Sequence, residues 1–398
     1  MPTESGPPRE QWQFETGGEV RSSPTVYDDT VYVGSDDGAL YAIDRETGGE
    51  RWAFRTDGPV RSSPTVFGGT VYVGSDDGTV YAVDTESGTC RWQYGTDGSV
   101  TGSPVIYNLT LFVASADGRV SAIDLQRKAP VWTVETDGAV VTSPLVVENT
   151  VFVGSTDGTV TAIAALSGDV QWRFDTDGEV RTPPTTSQTR VYVGDRSGTI
   201  YALARETGEE VARLDGDAPV DGLGSMTAIS PPTAVGETVV FGNYFGRVYA
   251  ARLQPELQGV VWKYEGMMGI QSAPAVVDDR VYVGDVGRVH AISLDSGERR
   301  WAFEPEGARR FRSSPTVADG IAYIGNDDGA LYAIAVDTAA ASRDSRERTG
   351  TVGHHDRHAV YQSSLGMYNY VESNDDGALG RVKRLNEALD AALWSDDA

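Results

Sequence analysis

Tryptophans fall at 12, 52, 92, 132 and 172, then at 262 and 301, and Ala212 stands where the spacing asks for another. Self-similarity at a period of 40 residues, the interval from Trp12 to Trp52, constrains the fold more than any other feature of the chain. Each unit runs in one order: an aromatic strand such as "RWAFRTDG", a stretch such as "VRSSPTV", a strand such as "TVYVG", a turn such as "SDDG" and a strand such as "TVYAVD". The runs are rich in Val, Tyr, Ile and Phe, are about five residues long, and are separated by Asp-Gly, Gly-Gly and Ser-Gly turns. That pattern predicts four strands per unit, which is the composition of a propeller blade. One such sheet cannot bury both of its faces alone, so the units must stack around an axis.

The last unit ends at "LYAIAVDTAA" and lacks its outer strand, whereas "QWQFET" at 11–16 precedes any complete unit. The expected fold is therefore all-β: an eight-bladed β-propeller of four-stranded antiparallel blades over 11–340, closed by the N-terminal strand. A linker and C-terminal tail with one short α-helix are expected over 341–398.

The units "AIDRETGGERW" at 42–52, "AVDTESGTCRW" at 82–92 and "AISLDSGERRW" at 291–301 resemble the tryptophan-docking repeat of pyrroloquinoline-quinone-like propellers. The resemblance covers roughly 11–340 and implies that Trp12, Trp52, Trp92, Trp132, Trp172, Trp262 and Trp301 dock one blade on the next. The family includes quinone-dependent alcohol dehydrogenases, the barrel-assembly lipoprotein of bacterial outer membranes and many scaffolds. Dehydrogenase members need calcium, a catalytic carboxylate and long loops roofing the cofactor, and the best-known ones carry a disulfide of adjacent cysteines. Here Cys90 is the one cysteine and the blades are mostly minimal in length. No cofactor is expected, with pyrroloquinoline quinone plus calcium as the alternative. With His290 in a repeat strand and the other three histidines in the tail, no Ser/His/Asp site suggests itself and no catalytic residue is assigned.

The formal charge of -25 arises from 58 acidic against 33 basic residues, of which only Lys128, Lys263 and Lys383 are lysines. Such a surface repels itself in dilute buffer and is tolerated in molar salt, where the Debye length falls to about 3 Å. This is the expectation for an extremely halophilic archaeon. The same field disfavours nucleic acid and anionic membranes as partners. "MPTESGPPREQWQF" lacks a basic start followed by an apolar run, and no window approaches a membrane span, so a cytoplasmic, monomeric protein is expected.

Function should show where the repeats disagree. From Ala212 to Pro232 the chain takes 20 steps where Trp52 to Pro64 takes 12, so "GDAPVDGLGSMTAIS" carries an insertion. It lies on the face that holds the "TDG" segments and "SDDG" turns. The residue entering each inner strand reads Arg21, Arg61, Thr101, Val141, Arg181, Ile229, Gln271 and Arg312 around the ring, with Arg309 and Arg310 just before the last. Guanidinium groups at an axial funnel suit a carboxylate or phosphate; alternatively each arginine pairs with an Asp of a "TDG" or "SDDG" turn. Met226, Met267 and Met268 fall on the same face and read either as a partner surface or as filling around Ala212. "SDDG" reads first as a hairpin turn rather than a calcium loop. In the tail, "GHHDRH" offers His354, His355 and His358 as a weak zinc or nickel candidate, and 378–394 has one apolar stripe of Leu379, Val382, Leu385, Leu389 and Leu393. The resulting expectation is a non-catalytic scaffold presenting one face to a protein partner or a small anionic ligand. The alternative is a quinone-dependent dehydrogenase.

Overall fold

The computed structural model describes residues 9–215, 230–255, 257–266 and 269–336. They form eight four-stranded antiparallel sheets arranged as blades. The first blade shows the pattern: a short inner strand Thr25–Tyr27, then Thr30–Ser35, Ala39–Asp44 and an outer strand Glu50–Arg55. In the eighth, Thr316–Ala318, Ile321–Gly325 and Ala330–Ala335 are completed by Arg9–Glu15, so one blade holds both ends of the described chain. Trp12 stands opposite Ala333 and Phe14 opposite Leu331 in that pairing. The N-terminal strand thus closes the ring as the repeat arithmetic predicts.

Blade-to-blade docking follows from one recurring contact. The docking tryptophan faces an alanine on the neighbouring strand, as in Ala42 with Trp52, Ala82 with Trp92 and Ala122 with Trp132, so there is room for the indole. Its ring packs near the second-strand aromatic of its own blade, with centroids 5.8 Å apart for Tyr32 and Trp52. Its Nε1–H then donates to a carbonyl in the next blade: Trp12 to Arg45, Trp52 to Thr85, Trp132 to Ala165, Trp172 to Arg205 and Trp262 to Leu294, over 2.6–3.0 Å. Under each of these indoles lies a glycine in the left-handed region. A Cβ on Gly88 would come within 2.7 Å of the Trp52 ring, and its φ of 67° is one that glycine adopts without strain.

Among the described residues, two blades depart from this contact. Where Ala212 replaces the tryptophan, Leu253 of the lengthened strand Arg247–Gln254 is buried in one cluster with Ala212, Leu214 and Tyr249. Between blades two and three the glycine position is taken by Lys128, which is forced to a φ of 54°. There Trp92 Nε1 is buried without a hydrogen-bond partner.

The Lys128 defect yields a stability prediction. Lys128→Gly should raise stability by about 0.5–1 kcal/mol in urea unfolding, through relief of the left-handed strain, whereas Gly88→Lys should lower it by more. Equal effects of the two substitutions would show that the glycine position does not govern docking.

Candidate functional site

The upper face is built by two sets of segments that hydrogen-bond to each other. Connections from each outer strand to the next inner strand meet the turns between second and third strands, as in Asp36 N–H to Glu19 O and Asp76 N–H to Pro59 O, 2.8 and 2.9 Å. Turn glycines such as Gly38 (φ 80°) and Gly78 (φ 88°) are left-handed, in keeping with hairpin turns. In the first blade the second Asp of the "SDDG" turn is structural: Asp37 accepts from Gly17 N–H at 2.8 Å, Ala39 N–H at 3.0 Å and the Tyr41 hydroxyl at 2.5 Å. The first Asp faces the rim arginines.

A cavity of about 190 Å³ lies on the axis, lined from all eight blades. Its upper ring comprises Arg21, Arg61, Thr101, Val141, Arg181, Gln271 and Arg312, and its deeper ring includes Ser23, Ser63, Ser103, Ser143 and Ser314 together with Pro183 and Pro231. Arg309 and Arg310 are not in this lining. Arg309 pairs with Asp328 at 3.1 Å, and the Arg310 guanidinium lies 5.7 Å from the Tyr244 ring centroid. Ile229, Met226, Met267, Met268, His354, His355, His358 and the 378–394 stripe lie outside the described residues.

Each rim arginine already has a carboxylate. Arg21 pairs with Glu19 and lies 3.4 Å from Asp36; Arg61 reaches Asp36 at 3.0 Å and Asp76 at 2.5 Å; Arg181 meets Glu179 at 2.6 Å; Arg312 lies 3.2 Å from Asp327. The partners are turn aspartates and glutamates two residues upstream. The "TDG" aspartates bond elsewhere: Asp97 pairs with Arg119 and Asp177 with Arg213. A guanidinium has five N–H donors, so one carboxylate leaves others available.

Two features escaped the reading of the sequence. One is the deeper serine ring, present in the recurring "SSP" but read there only as a strand entrance. The other is blade six, whose turn reads Asn243, Tyr244, Phe245, Gly246 where blade one has Ser35, Asp36, Asp37, Gly38. Asn243 Oδ1 accepts from Phe245 N–H and Arg247 N–H at 3.1 and 3.0 Å, so the turn keeps its shape without acids. Tyr244 and Phe245 are 41% and 50% exposed, with rings 6.4 Å apart at 80°. The signal was the departure of "NYFG" from "SDDG". Nearby, buried His290 lies 2.7 Å from Asp285 and 3.2 Å from the Tyr264 hydroxyl, and this group does not reach the axial cavity.

Burial pushes the Asp76 and Asp327 carboxyls above the usual 3.8, outweighing the pull of Arg61 on Asp76 and of Arg312 on Asp327. A folded-state pKa raised above the unfolded one stabilises fully below the unfolded value, and that stabilisation is lost as pH rises through the folded value. The wild type should therefore gain stability relative to Asp76→Asn as pH falls from neutral toward about 4. Urea midpoints of the two proteins measured across that range test this, and parallel curves would refute it.

Residues 4–220, more than half of the 398-residue chain, match the family described as "Beta-alanine-activating enzyme, beta-propeller". Residues 253–363 match "Outer membrane protein assembly factor BamB". No curated protein matches the sequence significantly. The fold is similar to BamB from Moraxella catarrhalis, with a TM-score of 0.58 at 20% identity over 79% of this chain and 85% of that one. It is also similar to the computationally designed Ika8 protein, at 0.69 and 18% over 82% and 99%. A third similar structure is quinohemoprotein alcohol dehydrogenase from Comamonas testosteroni, at 0.68 and 14% over 83% and 77%. At these identities the solved structures speak to fold alone. By its matched sequence, the chain belongs to the family described as "Beta-alanine-activating enzyme, beta-propeller".

Proposed function

We propose that this protein is a non-catalytic scaffold whose upper face binds a protein partner, with Tyr244 and Phe245 as the anchor. The observation that carries this reading is the replacement of an acidic turn by two exposed aromatic rings on the upper face. Large rigid side chains held out by a well-bonded turn have the character of interface hot spots. The stacked Arg310 fixes the Tyr244 ring from one side, which lowers the entropy lost when a partner covers the other. The family matched by residues 253–363 is described as an assembly factor, which suits a propeller that holds other proteins.

The quinone alternative fits the axial cavity poorly. About 190 Å³ is below the roughly 300–1,000 Å³ of pockets that take organic ligands of that size. No carboxylate lines the cavity among the described residues, whereas a calcium beside the quinone needs several oxygen ligands, carboxylates foremost. The rim arginines are each engaged by an acid, so an anionic ligand would have to find its main donors deeper than the rim.

A photo-crosslinking residue at position 245, compared with one at Val170, tests the docking reading in the protein's native cells. The expected outcome is one dominant adduct from position 245 that Tyr244→Ala weakens, with no such adduct from 170. The same adducts from both positions, or none from 245, would exclude the aromatic turn as the anchor.

A further inference from the structure

The axial cavity has a second layer with donors to spare. Backbone N–H groups of successive blades donate to serine hydroxyl oxygens in a one-way belt: Ala273 to Ser314, Ser314 to Ser23, Ser23 to Ser63, Ser63 to Ser103 and Ser103 to Ser143, over 2.7–3.0 Å. All five serines are more than nine-tenths buried, and all five line the cavity. Each Oγ is occupied as an acceptor, and none of the five hydroxyls donates in any hydrogen bond of the described residues. A buried hydroxyl with an unused proton costs free energy unless something in the cavity accepts it.

The belt runs over blades seven, eight, one, two, three and four, and stops where blades five and six place Pro183 and Pro231. Proline has neither a side-chain hydroxyl nor a backbone N–H, so that wall offers no donor. Five O–H donors on one side, with Arg21, Arg61 and Arg312 above them, Arg181 over the proline wall and no carboxylate in the lining, favour a small anion in a chain of net charge -25. The proline wall discriminates further. A tetrahedral inorganic anion would press oxygens against Pro183 and Pro231 and lose hydration there, whereas a carboxylate with a short apolar body would turn its oxygens to the serines and its carbons to the prolines. The volume, about 190 Å³, is many times what a single water needs, enough for such a molecule with some water beside it.

We infer that the axial cavity is a binding site for a short-chain monocarboxylate, held by the serine belt and the rim guanidiniums against the proline wall. The inference goes beyond the scaffold reading and does not rest on Tyr244 or Phe245, so its failure leaves protein docking untouched.

Calorimetric titration with sodium propionate, sodium sulfate and sodium chloride at constant ionic strength provides the test. Propionate is expected to bind saturably at one site, with sulfate weaker and chloride weaker still. Arg21→Gln removes a rim donor above Ser23, one whose contacts are Glu19 and Asp36, and it should weaken propionate about tenfold, the worth of one charge-assisted hydrogen bond. Ser103→Ala should weaken it similarly. Because that change also removes the acceptor for Ser63 N–H, a urea midpoint accompanies it. Pro183→Ser places a hydroxyl on the apolar wall and should narrow the preference for propionate over sulfate. No propionate heat beyond that of chloride, equal affinity for sulfate, or unchanged affinity in Arg21→Gln would each overturn the assignment.

Discussion

Every blade of this protein depends on being covered by its neighbours. A four-stranded sheet with Val, Tyr and Ile on both faces exposes one hydrophobic face unless another sheet lies against it, and only a closed ring supplies a neighbour to every member. The indole of one blade reaching a carbonyl of the next turns that general need into a fixed geometry, since Trp12 and Trp52 reach across by the same contact, 40 residues apart. Arg9–Glu15 on Ala330–Ala335 then gives the eighth blade the same four strands as the others, so the blade that ends the series has a full face to set against the first.

That constraint divides the chain into positions that repeat and positions free to change. The alanine opposite the indole, the left-handed glycine beneath it and the valine packed on the next glycine, such as Val60 on Gly34, all touch another blade and recur nearly unaltered. The residue entering each inner strand and the second residue of each turn are not committed in this way. There the ring reads Arg, Thr, Val, Ile or Gln at the first position and Asp, Ala, Thr, Arg, Tyr or Val at the second. Individuality is confined to one end of the molecule because the rest of each blade is committed to stacking.

The same division explains what could be read before any coordinates. Blade number, strand number and the closing strand follow from period and pattern, because an identical unit repeated in sequence must solve the same packing problem each time. The partners of the rim arginines do not follow, because they are chosen by three-dimensional proximity: Arg61 takes Asp36 and Asp76 from the turns of two blades, and Asp57 of its own "TDG" is not among them. The serine belt was hidden for a different reason. "SSP" recurs for the sake of hydrogen bonds that run between blades, so its regularity looks purely structural until the unused hydroxyl protons are seen to share one cavity. The failed docking at Trp92 was visible only as a lysine among glycines, and its consequence needed the backbone angle.

Net charge proves a poor guide to the axial site. The surplus of acids sets the field at long range, where salt screens it, but within a few ångströms the sign is set by which groups line the wall. Turn acids draw on the rim guanidiniums without entering the cavity lining, so the arginines are held in place by the charges that would otherwise repel an anion. Prolines at two of eight positions then give an otherwise circular arrangement a polar side and an apolar side. A ring of identical blades has no means of orienting a ligand on its axis. The interruption of the belt at Pro183 and Pro231 supplies one, and it does so without disturbing the stacking on which the fold depends.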